Sequence, residues 1–178
     1  MKLPKIVLST LVILFMVSCK NDTKETTKDE EKLPETFNVS FNLTVKKDDT
    51  FQLYYTEDGS LNFGDAMSVK SVIKGSETPQ EILFKLPVDV LPTSIRLDFG
   101  DNKEQESIVV NSMKLKYFDK VFEAKENLVK KYFYLIEAQE KYDESTSTIS
   151  LVKPAGQAYD PFMWSNEALA LELTKLIK

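Results

Sequence analysis

The stretch Phe37-Asn38-Val39-Ser40-Phe41-Asn42-Leu43-Thr44-Val45 decides the fold. Apolar and polar side chains alternate through all nine residues. Successive side chains of a β-strand point to opposite faces of a sheet, so this period of two is typical of a strand with one buried face. The stretch therefore predicts a half-buried strand at the start of a β-rich domain.

Similar short segments follow, each ended by glycine, proline or a polar turn. The predicted strands are Phe51–Tyr55, Met67–Lys74, Glu81–Leu86, Ser94–Phe99 and the longer, mixed Ile108–Phe118. Regular strands separated by turn residues favour a mainly β, antiparallel sandwich over a parallel sheet with crossover helices.

The last third of the chain changes pattern. Apolar residues at helical spacing predict an amphipathic helix; they are Leu128, Tyr132, Leu135 and Ile136. The run Tyr132-Phe133-Tyr134 fits a strand equally well. The segments Ala138–Tyr142 and Thr148–Val152 predict a hairpin.

A terminal helix is predicted from Ser165, the expected N-cap, with Glu167 in its first turn. Its apolar stripe consists of Leu169, Leu173, Leu176 and Ile177. We expect one sandwich domain over residues 36–178, with one or two short helices toward its C-terminus.

Composition narrows the range of functions. The chain has 178 residues, no histidine, one cysteine and a net charge of −5. Histidine-dependent catalysis, His-ligated zinc and internal disulfides are excluded, and an acidic chain with one arginine does not favour nucleic-acid binding.

The first residues have the layout of an export signal. Lys2 and Lys5 precede the apolar stretch Ile6–Val17, which is followed by Ser18 and Cys19. Twelve helical residues span only about 18 Å, less than the roughly 30 Å of a bilayer core, so a transmembrane helix is the weaker interpretation. The alternative is an ordinary signal peptide with an incidental cysteine.

The run Met16-Val17-Ser18-Cys19 resembles the lipobox of bacterial lipoproteins, with methionine where leucine is usual. The resemblance implies a signal peptide over 1–18, cleavage before Cys19, and acylation of that cysteine as a membrane anchor. Residues 19–35 then form a charged, disordered tether. By the same resemblance, Lys20 rather than aspartate after the cysteine disfavours retention at the inner membrane, which implies an outer-membrane location with the leaflet undecided. The start Lys20-Asn21-Asp22, followed by Lys24-Glu25, is also similar to the charged tails of Bacteroidetes surface lipoproteins.

Residues 37–118 resemble carbohydrate-binding, jelly-roll-type β-sandwich modules of cell-envelope proteins. The resemblance rests on Phe51–Tyr55, Ser68-Val69, Ile82–Pro87 and Ile95–Asp98. It implies noncatalytic glycan binding, although sandwiches of this kind serve many functions.

Several side chains are candidate ligand contacts. Arg96 and Asp98 share one face of their strand, where they form either an ion pair that fixes the sheet or a fork for sugar hydroxyls or a carboxylate. Tyr54 and Gln52 face away from the predicted core, so Tyr54 either stacks on a sugar or packs against a neighbouring strand.

Two loops have open interpretations. Oxygen ligands around Gly100 predict either a structural calcium site or a plain acidic turn; they belong to Asp98, Asp101, Asn102 and Glu104. The segment Tyr159–Trp164 either plugs one end of the sandwich, with Trp164 largely buried, or offers Tyr159 and Trp164 as a ligand platform.

Two functions remain. The first is a lipid-anchored envelope protein that binds glycan without catalysis, with no cofactor. The second is a structural or assembly lipoprotein that docks on a partner envelope protein through its sandwich face and terminal helix. A glycosidase that uses two carboxylates is compatible with the composition, but none of the acidic residues stands in a recognisable motif.

Overall fold

The computed structural model describes residues 35–153, 155–156 and 158–178. The predictions for the signal peptide, for Cys19 and for nearly all of the tether lie outside these residues. Within them the described strands are β1 Thr36–Val45, β2 Asp49–Thr56, β3 Ser68–Ile73, β4 Gln80–Val88, β5 Ser94–Asp98, β6 Ser107–Tyr117, β7 Lys120–Lys125, β8 Phe133–Leu135, β9 Glu140–Asp143, β10 Thr148–Leu151 and β11 Phe162–Ser165. One α-helix, α1, spans Glu167–Ile177, and 3₁₀ turns span Asp65–Met67 and Glu126–Tyr132.

The strands form two antiparallel sheets that pack as a sandwich, so the predicted fold class is confirmed. The first sheet has the order β4-β1-β6-β10-β9, with β7 beside the second half of β6. The second sheet has the order β3-β2-β5-β11-β8.

The core lies between the sheets and follows the predicted alternation. All five apolar side chains of the alternation in β1 are completely buried: Phe37, Val39, Phe41, Leu43 and Val45. Phe51 and Leu53 of β2 face them from the second sheet and are equally buried. Burying a large apolar side chain stabilises a fold by about 1.5–3 kcal/mol, so this alternation is a main reason that β1 lies inside its sheet, between β4 and β6.

A β-bulge explains why apolar and polar residues do not alternate regularly along β6. Asn42 of β1 pairs with Ser112, but Leu43 pairs with Val110, so Asn111 is an extra residue. The extra residue switches which side chains face the core, from Ile108 and Val110 before it to Met113 and Leu115 after it.

The predictions for the last third are corrected at three points, and the first is the helix around Leu128. The helix predicted around Leu128 is a 3₁₀ turn followed by strand β8, because the turn buries Val129 and leaves Leu128 45% exposed. The strand alternative for Phe133-Tyr134 is therefore right. The predicted hairpin is confirmed as β9 and β10.

The segment predicted to plug the sandwich contains strand β11 instead, with Met163 buried and Trp164 only half-buried. Helix α1 is confirmed, but its N-cap is Asn166, whose side-chain oxygen accepts hydrogen bonds from the backbone of Ala168 (3.0 Å) and Leu169 (3.2 Å). Ser165 is the last residue of β11, where its hydroxyl accepts a 3.0 Å hydrogen bond from the Ile95 N–H.

Candidate functional site

A row of four side chains crosses the outer face of the second sheet. Tyr54 on β2 pairs with Arg96 on β5, Arg96 pairs with Trp164 on β11, and Trp164 pairs with Tyr134 on β8. Side chains at paired positions project from the same face. We call Tyr54, Arg96, Trp164 and Tyr134 the aromatic row; three intervals between strands make it roughly 14 Å long.

A second, shorter row lies beside it. Gln52 pairs with Asp98, and Asp98 pairs with Phe162. The fold thus places five of the six predicted ligand residues on one face. The sixth, Tyr159, lies in the segment just before β11.

Arg96 is the organising side chain of this face. Its guanidinium binds both carboxylate oxygens of Asp98, at 2.6 and 2.7 Å, and reaches Asp160 at 3.3 Å. Its central carbon lies 3.6 Å from the centre of the Phe162 ring and 5.3 Å from that of Tyr54. The predicted ion pair is therefore present, and it also holds two aromatic rings by cation–π contact.

Asp98 is largely buried beneath this arrangement, with 14% of its side chain exposed. Burial raises the pKa of Asp98 to about 6, although the Arg96 guanidinium acts in the opposite direction. Both oxygens of the carboxyl accept hydrogen bonds from the guanidinium.

Tyr54 and Gln52 form hydrogen bonds with two side chains that were not predicted as site residues, Asp65 and Ser68. The Tyr54 hydroxyl donates a 3.0 Å hydrogen bond to Asp65, and the Gln52 amide donates a 2.8 Å hydrogen bond to the hydroxyl of Ser68. Burial, followed by the hydrogen bond to Asp65, raises the pKa of Tyr54 to about 12. These contacts hold the Tyr54 ring in one orientation.

The other end of the row is aromatic and more open. The Trp164 ring centre lies 5.6 Å from that of Tyr134 and 5.7 Å from that of Phe162. Tyr134 is 43% exposed. A shallow pocket of about 270 Å³ separates the rings of Phe162 and Trp164 from Leu61 and Phe63. Tyr134 was missed because only strand register places it beside Trp164, whereas Phe162 belongs to the predicted segment Tyr159–Trp164 and lies two residues before Trp164 on the same face of β11.

A polar pocket of about 310 Å³ lies at the Asp98 end of the face. Gln52, Tyr54, Asp98, Asp160 and Tyr159 contribute to its walls. The Tyr159 hydroxyl is buried and finds no hydrogen-bond partner within the described part of the chain. Burial raises the pKa of Tyr159.

The charge of this face is negative. At the polar end of the row the carboxylates outnumber the cations by four to two, and the residues are Asp65, Asp98, Asp101 and Asp160 against Arg96 and Lys70. Because Arg96 is already bound to Asp98 and Asp160, an added anion would meet no free guanidinium here.

The predicted calcium loop is organised in a different way. Asp98 binds Arg96, whereas Asp101 and Asn102 donate backbone N–H groups to the Asp49 carboxylate at 3.3 Å. The Asn102 side-chain oxygen accepts a 2.9 Å hydrogen bond from the Glu104 backbone. The described residues contain no group of three acidic side chains suited to a metal ion. These hydrogen bonds close the loop on Asp49.

Glu140, which was not predicted as a site residue, stabilises the segment that carries Asp160 and Phe162. Its carboxylate is 1% exposed and accepts hydrogen bonds from the backbone N–H groups of Ile136 (2.7 Å) and Phe162 (3.0 Å). The neighbouring Gln139 accepts a 2.9 Å hydrogen bond from the Asp160 backbone. Both side chains therefore fix the segment that carries Asp160 and Phe162.

Comparison with protein-family models, with curated proteins and with solved structures returns no match for this chain. Among the residues that the structure describes, there is no helix of the length and apolarity needed to cross a membrane.

Proposed function

We propose that the chain is a lipid-anchored protein of the cell envelope whose sandwich binds a glycan, without catalysis, along the aromatic row. The observation that carries the proposal is the row itself. Tyr54 and Trp164 are half-buried and Tyr134 is 43% exposed, so all three rings are fixed by the sheet yet reachable from solvent. Rigid rings with polar neighbours suit a sugar, which has apolar ring faces and hydroxyl edges.

The charges of the face favour an uncharged glycan. The guanidinium of Arg96 is bound on two sides by Asp98 and Asp160. Four carboxylates surround the polar end of the row. An acidic polysaccharide would be repelled there, whereas the carboxylates in the pocket wall would accept hydrogen bonds from neutral sugar hydroxyls.

The alternative is docking on a partner envelope protein through the terminal helix. That hypothesis predicts a broad exposed apolar patch along α1. Leu169 and Leu173 are completely buried, however, and Leu176 is 5% exposed, because the stripe packs into the core. Leu171 is 64% exposed on another side of the helix, and one leucine does not make a docking patch. The glycan hypothesis is therefore favoured.

A glycan array probed with the purified full-length chain tests the proposal. We expect neutral oligosaccharides to be retained. Trp164→Ala and Tyr54→Ala should each weaken binding by about tenfold, since an aromatic stacking contact contributes about 0.5–1.5 kcal/mol beyond its buried area.

Leu171→Ala is the matched control, because it removes an exposed apolar side chain outside the site. Retention of acidic glycans only would overturn the charge argument. Retention of no glycan, together with copurification of one envelope protein, would favour the docking function.

The lipid anchor has its own test. Cys19→Ala should abolish metabolic labelling of the chain with a fatty acid and block its normal maturation. Ser18→Ala is the control, because it keeps a small residue before the cysteine and should leave labelling intact. Acyl label that persists on the Cys19→Ala chain would refute the anchor.

A further inference from the structure

Three exposed apolar side chains lie at the end of the sandwich where β1 begins. They are Val88, Phe118 and Val121, with exposed fractions of 46%, 48% and 54%. We call them the tether-end patch. Val88 pairs directly with Thr36, the first residue of β1. Val121 pairs with Lys116, which in turn pairs with Asn38.

Phe118 is the unusual member of the patch. It begins the two-residue turn between β6 and β7, and its φ is +52°, a left-handed conformation that disfavours bulky side chains. Glycine, asparagine or aspartate is usual at such a turn position. The Phe118 ring contacts Tyr117 at 4.6 Å between centres but remains about half exposed. A strained, exposed aromatic residue contributes little to the fold, so its presence points to a function.

Exposed lysines surround the patch. Lys85 and Lys116 both pair with Asn38, and Lys120 pairs with Tyr117. None of the three forms a salt bridge with an acidic residue in the described ranges. Asp89 and Asp119 lie at the same end. Apolar side chains flanked by long lysines are typical of surfaces that enter the boundary between lipid headgroups and acyl chains, where ammonium groups reach the phosphates.

We propose that the tether-end patch docks on a phospholipid surface. The inference rests on the proposed lipid anchor, because that anchor would keep the start of β1 near a membrane. Sixteen residues separate Cys19 from Thr36. A flexible chain of that length reaches roughly 20–25 Å, so the patch beside Thr36 is the part of the sandwich best placed to meet the bilayer. The aromatic row lies on a side face and would remain open to its ligand.

Depth-dependent fluorescence quenching tests this docking. The mature protein is purified from membranes and reconstituted into vesicles of phosphatidylethanolamine and phosphatidylglycerol that contain brominated lipid. Trp164 is the only tryptophan, so a Trp164→Phe background allows one new probe at a time. We expect brominated lipid to quench the fluorescence of Phe118→Trp by at least about twofold. Val72→Trp is the control, since Val72 is 85% exposed on β3 and lies toward the opposite end of the sandwich, and it should not be quenched.

The outcomes separate the two proposals. Vesicles that float with the protein but leave Phe118→Trp unquenched would overturn the docking and leave the anchor intact. Equal quenching at both positions would also overturn it, because the sandwich would then lack this orientation. Protein that does not float with the vesicles would refute the anchor, and the docking with it.

Discussion

The buried carboxyl of Glu140 should make the stability of the protein depend on pH. Burial raises the pKa of Glu140 to about 7 from an ordinary value of 4.5, although two backbone N–H groups act in the opposite direction. The folded protein therefore holds this proton at pH values where the unfolded chain has released it. The resulting stabilisation is complete below about pH 4.5 and is lost as the pH rises through about 7.

The size of the effect follows from the shift. A pKa difference of about 2.5 units corresponds to about 3 kcal/mol, since each unit is equivalent to 1.36 kcal/mol. Glu140→Gln removes the titration but places an amide donor against one of the two N–H groups. That mismatch should cost about 1–3 kcal/mol at low pH. The variant should thus be less stable than the wild type near pH 4.5 and should approach or exceed its stability above pH 7.

Urea unfolding at intervals across this pH window measures the effect. The informative quantity is the difference in free energy of unfolding between variant and wild type, because titrations common to both proteins, such as that of Asp98, cancel. Glu137→Gln, which changes an exposed carboxyl in the same turn, should match the wild type at each pH. Parallel profiles for the wild type and Glu140→Gln would refute the reasoning.

Three further substitutions test local features of the fold. Gly100→Ala should lower the free energy of unfolding by more than about 2 kcal/mol in urea titration, because φ is +78° and a Cβ would overlap the Asp49 carboxylate. Asn166→Ala should cost about 1 kcal/mol by the same assay, because it removes the cap of α1; an unchanged midpoint would contradict that role. Phe118→Asn should raise the melting temperature, with a gain of about 1 kcal/mol, because asparagine tolerates the left-handed conformation better; a lower melting temperature would show that the phenylalanine stabilises the turn.

Local alternation predicted most of the strands because burial repeats with a period of two residues. It was less informative where a single residue changes the register, as at Asn111. Strand β7 was also missed. The preceding turn, Phe118-Asp119, lacks the glycine or asparagine that marks a hairpin, and most of the side chains from Lys120 to Lys125 are exposed.

The site was predicted only in part, for a related reason. The period of two correctly placed Tyr54 with Gln52, and Arg96 with Asp98, on outward-facing sides of their strands. Which strands are neighbours depends on contacts between residues far apart in the chain. The strand order β5-β11-β8 places Trp164 and Tyr134 beside Arg96, and a local sequence pattern does not predict this order.

The lone arginine shows how such neighbours change an interpretation. Taken alone, an outward-facing guanidinium is an attractive site for an anionic ligand. In the sheet, Asp98 and Asp160 bind that guanidinium, and the rings of Phe162 and Tyr54 lie against it. The positive charge thus serves to hold the aromatic side chains in place. Under the proposed function, selectivity of this face would come from ring shape and hydroxyl contacts, and a neutral glycan would be preferred to an acidic one.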